Sequence, residues 1–151
     1  MNRIRLNRML LAGLATFLVW IVVEILVEQV IGRVLFGDLI EQQVIQTTNI
    51  LDWGIPNYVL NILIALINCT LLIWLYASLR PMFGVGTRTA LITSAFGIIF
   101  SLTMTVNGIN LGLVPPQVGL TEWIFEVIEF PLAMMAGSLV YEGISEPLAI
   151  L

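Results

Sequence analysis

The chain has 151 residues, 59% of them hydrophobic and 11% charged, and ten acidic against six basic side chains give a formal charge of −4. A soluble domain carries about a quarter charged residues, so this balance excludes an ordinary soluble domain and points to a membrane protein. There is no histidine and Cys69 is the single cysteine, which removes an intrachain disulfide, the usual proton shuttle, and histidine-based zinc or di-iron sites.

A helix needs about 20 apolar residues to cross the hydrocarbon core. The N-terminal "MNRIRLNRMLLAGLATFL" has a basic head and an apolar stretch. It has no small-x-small cleavage site at its end and its apolar character continues, so it predicts an uncleaved first span from Met9 to Ile31. An outer loop follows, Gly32 to Pro56. In it Leu35, Leu39, Ile40, Val44, Ile45 and Leu51 recur at roughly helical spacing among Asp38, Glu41 and Gln42, which predicts a short surface helix. Trp53 before Gly54 and Pro56 fits an interfacial anchor and a turn.

The second span is expected over Asn57–Leu79 and the third over Thr89–Leu111. Between them "RPMFGVGTR" reads as a tight basic connection, with Pro81 stopping the second span and Gly84 and Gly86 turning the chain. The fourth span is expected over Glu122–Tyr141. Basic residues set orientation: Arg3, Arg5, Arg8, Arg80 and Arg88 fall on one side and only Arg33 on the other. The expected fold is therefore all-α, a single-domain integral membrane four-helix bundle of up-down topology with both termini cytoplasmic. A bacterial inner membrane fits that pattern.

Two spans carry carboxylates. Glu24 and Glu28 end the first, four residues apart. Glu122, Glu126 and Glu129 open the fourth at spacings of four and three, so each set forms one stripe on its helix. Counted from the expected span ends, Glu24 and Glu129 each lie roughly 10 Å inside the outer boundary, so the two stripes are expected to meet there. The stripe of the fourth span continues through Ala133 and Gly137, whose small size permits close helix approach. That of the first span runs back through Trp20 and Gly13. Asn61 and Asn68 on the second span, and Asn107 on the third, bring further polar groups to the region. Thr105 and Ser101 fall on another face of the third span.

A lipid-facing carboxylate is costly, so these groups should face the protein interior or water. Packed together and dry, they cannot all remain ionised. They share protons, bind a cation, or line an aqueous vestibule. Glu28 and Glu122 also fit boundary residues reaching headgroup water, and the asparagines fit interhelical hydrogen bonds. The candidate ligand- or cation-binding set is Glu24, Glu28, Asn61, Asn68, Asn107, Glu126 and Glu129. Its hard oxygen ligands suit calcium, magnesium or manganese, and no other cofactor is expected. No motif for an activated nucleophile is present, and no basic surface suits nucleic acid. The expected function is a small membrane binding or accessory protein with an acidic outer-half cavity. Its partners would be the bilayer, further copies of itself, a partner membrane protein, or a lipid or apolar ligand. The alternative is a proton- or cation-conducting channel or transporter that uses the carboxylates.

Overall fold

The structure, a computed structural model, describes residues 6–27 and 55–143. Glu28, the expected surface helix and the end of the expected first span lie outside the described residues. Four helices account for most of the described chain: α1 (Leu6–Leu26), α2 (Ile55–Phe83), α3 (Thr87–Asn110) and α4 (Pro116–Glu142). All four are long and apolar enough to cross a membrane.

The helix ends obey turn chemistry more than hydropathy. Pro81 does not stop α2, which runs on to Phe83. Proline there forgoes its own backbone bond and crowds the Ala77 carbonyl one turn back, yet the helix continues for two more residues. The stop comes at Gly84, whose φ of 90° suits glycine, and whose N–H closes on Arg80 O at 2.9 Å. Gly86, with φ of 105°, then begins α3. Helix α4 starts six residues before the expected Glu122. Pro115 is extended and Pro116 takes the first helical position, where a proline costs no hydrogen bond. This earlier start changes the depth of the carboxyls. Glu129 falls midway between Pro116 and Glu142, about 20 Å from either end, and so deeper than the expected boundary implied.

α4 is the hub of the bundle and packs broadly on both α1 and α3. α2 fills in against α1 and, less extensively, α3, and α1 and α3 sit diagonally across the bundle. Missing Cβ atoms allow two of these approaches. A Cβ on Gly13 would strike the side chain of Thr70, and would come within 2.9 Å of its Cα. A Cβ on Gly137 would land on Thr16 Oγ1 and within 2.7 Å of Ile73 Cδ1. The small-residue stripe expected on the fourth span is thus the seam with α1, and Ala133 on it is 1% exposed.

A buried apolar cluster lies toward one end of the bundle, while Val27, Val118 and Phe125 are buried toward the other. Ala12, Ile73, Tyr76, Ala77, Ala90, Met134 and Tyr141 form one buried cluster, with Met9, Leu72 and Met135 packed on it. These residues come from the first half of α1, the second half of α2, the start of α3 and the second half of α4. In the other half of α2, no residue from Val59 to Asn68 is buried; burial begins at Cys69.

Candidate functional site

Polar side chains gather at two levels of the bundle. At one end four helix termini meet. Arg80, near the end of α2, pairs with Glu142, at the end of α4, through Nη2 and Oε2 at 2.7 Å. The other oxygen of Glu142, Oε1, accepts from Tyr76 Oη at 3.0 Å. That hydroxyl in turn accepts from Gly86 N–H at 3.1 Å. Arg8, in the first turn of α1, donates from Nη1 to Glu142 O at 3.1 Å. Tyr141 meets Tyr76 edge-on, with ring centroids 6.0 Å apart. Glu142, through its carboxylate and its backbone carbonyl, therefore ties α1, α2, the connection before α3 and α4 together, and we refer to this level as the arginine end.

The second level runs from the middle of the bundle into the half away from the arginine end. Glu129 is 3% exposed and accepts from the indole of Trp20 through Oε2 at 3.1 Å. This bond links the stripes of α1 and α4. Glu126, one turn earlier, is half-buried and lies within hydrogen-bonding reach of Ser101 on α3. Its Oε2 is buried and has no hydrogen-bond partner among the described residues. Ser101 has one hydroxyl hydrogen, and it also lies 3.0 Å from Ile98 O. That carbonyl accepts from Trp123 Nε1 as well, at 3.1 Å. Ile98 O thus keeps a donor when the Ser101 hydrogen turns to Glu126. Glu24 and Glu122 are half-buried, and each has an interaction partner of its own.

The remaining expected site residues are placed differently. Asn61, Asn68 and Asn107 are exposed on the bundle surface. On α3, the face that meets α4 carries Ser101 and Thr105, the latter against Gly119. The face carrying Thr103 and Asn107 is the exposed one. Among the described residues, no three carboxylates or thiols gather as metal ligands would.

Sequence reasoning missed the arginine end and the role of Ser101. A signal for the first was present, because Arg8, Arg80 and Glu142 all fall at the same end of their spans. Span-by-span reading treats each as a boundary residue and does not pair them. The signal for the second was geometric, since Ser101 comes within reach of Glu126 only when α3 and α4 pack.

Comparison with known proteins finds no family model, no curated protein and no solved structure that matches the chain. Fold and site together define its class. It is a small all-helical integral membrane protein with buried polar and charged side chains.

Proposed function

We propose that the chain is a small membrane binding or accessory protein of a bacterial inner membrane. It runs up-down-up-down with both termini cytoplasmic. Its carboxyls from mid-bundle outward, Glu129, Glu126 and Glu24, receive a cationic or hydrogen-bond-donating group from a ligand or a partner helix. The observation that carries this reading is Glu126 Oε2, a buried oxygen with no hydrogen-bond partner among the described residues. Native proteins leave few such atoms unpaired, because a lone buried acceptor is costly. An incoming donor supplies what the bundle itself omits.

Two further observations support it. The arginine end gathers Arg8 and Arg80, with Arg88 exposed nearby in sequence, as a cytoplasmic face would. Among the described residues, α2 buries none from Val59 to Asn68, so it contributes less closure to the outer half than to the inner half. The runner-up reading, proton or cation conduction, draws on the burial of Glu129 at the helix midpoint. It must carry its ion past Ile73, Tyr76 and Met134, all 0% exposed. That packed apolar layer favours binding over passage through one subunit.

The test is infrared difference spectroscopy on the protein in lipid, with added magnesium, calcium, manganese or a long-chain alkylammonium. The expected result is a carboxyl signal that moves on addition of one of them and is missing in Glu126→Gln. If every carboxyl signal ignores all four additives in wild type, the binding reading fails.

A further inference from the structure

Helix α2 carries two amides with no hydrogen-bond partner among the described residues. Asn61 and Asn68 are both exposed and stand one heptad apart. Ile64, Leu71, Leu75 and Ser78 extend them into a stripe with alternating spacings of three and four, the seam pattern of paired helices. Ile64 is 46% exposed and Leu71 55%. Apolar members of such a stripe are at home in lipid; the asparagines are not.

Depth separates these amides from the others. Asn107 lies in the last turn of α3 and Asn110 is its final residue, where headgroup water reaches. Asn68 is roughly 20 Å from either end of α2, near mid-membrane. A hydroxyl at comparable depth is satisfied by its own helix: Thr70 Oγ1 donates to Leu66 O at 2.8 Å. A carboxamide has two N–H donors and a carbonyl, and one bond back to its own helix leaves the rest facing hydrocarbon.

We propose that this stripe is a homodimer interface, with α2 packed against α2 of a second copy about a twofold axis along the membrane normal. The membrane selects the occupant. Insertion gives every copy the same direction, so a twofold along the normal pairs α2 in parallel and brings each seam residue onto its own counterpart. Asn68 then meets Asn68 of the partner subunit, and Asn61 meets Asn61 of the partner subunit, in one register. Amides are both donors and acceptors, so this self-pairing satisfies both sides. A stripe of like charges would repel across the same axis, and a wholly apolar partner helix would leave the amides unpaired. The inference goes beyond the carboxyl reading and does not depend on it.

Disulfide crosslinking of the full chain in lipid bilayers tests it, in a Cys69→Ala background and at low protein-to-lipid ratio. Ile64→Cys and Leu71→Cys are expected to give a crosslinked dimer on mild oxidation. Leu10→Cys and Phe96→Cys, each 53% exposed on α1 and α3, should not. By energy transfer between labelled copies, Asn61→Leu with Asn68→Leu should weaken association roughly tenfold or more, while Asn68→Gln retains it. The proposal is overturned if Ile64→Cys crosslinks no faster than Phe96→Cys, or if the double leucine variant associates like wild type. It is equally overturned if, in native membranes, the Ile64→Cys product joins a different protein in place of a second copy.

Discussion

The two polar levels of this bundle use carboxyl groups in opposite ways. At the arginine end, Glu142 uses both side-chain oxygens and its backbone carbonyl, and its partners come from α1 and α2. From mid-bundle outward, Glu129 takes an indole N–H while Glu126 keeps a buried oxygen with no partner among the described residues. The first arrangement sits over the packed core and closes it. The second begins at mid-bundle and extends beside the stretch of α2 from Val59 to Asn68, none of which is buried. A carboxylate that is fully engaged within the protein stabilises it, and one that is incompletely engaged is available to something else. The contrast can be tested by substitution, since the two kinds of carboxyl should respond with opposite signs.

The largest effect is expected where the two levels are joined mechanically. Gly13→Val sets a branched side chain against Thr70, whose Cα would lie 2.9 Å from the new Cβ. Backbone cannot swing aside as a side-chain end can, so α1 and α2 must separate. Overpacking of this kind costs about 3 kcal/mol, read as a fall in the unfolding midpoint in detergent by circular dichroism. Retention of the wild-type midpoint would show that the helices are not held this close.

The next effect belongs to the arginine end. Glu142→Leu leaves Arg80 without its ion pair and removes the acceptor for Tyr76 and its hydroxyl. Arg80 is 29% exposed at its side chain, so part of its charge can reach water, and the expected loss is about 2 kcal/mol. Tyr76→Phe should cost about 1 kcal/mol, through the two hydrogen bonds of one hydroxyl. Its distinct signature is faster hydrogen exchange at the Gly86 amide, which donates to that oxygen. Unchanged exchange there would detach Tyr76 from the helix connection.

These features were unequally legible in the sequence. Four spans were plain, because about 20 apolar residues in a row leave little else to form. Their ends were not, because Pro116 and Gly84 act through backbone geometry that a hydropathy window averages away. The misplaced start of α4 carried Glu129 with it, from near the boundary to the helix midpoint. The stripe from Glu24 through Trp20 was readable as a face, and Trp20 does reach Glu129 across the α1–α4 seam. Asn107 and Ser101 could not be ranked from sequence. Both are small polar groups on the same span, and only the packing of α3 on α4 decides that Ser101 meets a carboxyl while Asn107 stays on the surface.

The smallest effect carries the most information. Glu126→Leu removes a buried oxygen without a partner among the described residues, and the contact with Ser101, whose hydroxyl still has Ile98 O at 3.0 Å. Replacing a poorly satisfied buried polar group with an apolar one of similar size is neutral or mildly stabilising, here by up to about 1 kcal/mol. The same substitution at Glu142 is destabilising. Paired unfolding measurements on the two variants therefore place the carboxyls on either side of wild type. A site kept for an external ligand should sacrifice stability in the empty protein. The Glu126→Leu variant should accordingly be at least as stable as wild type while failing to respond to the cation that shifts the wild-type carboxyl signal. A clear destabilisation by Glu126→Leu would mean that Glu126 serves the bundle as Glu142 does, and the distinction between the two levels would collapse.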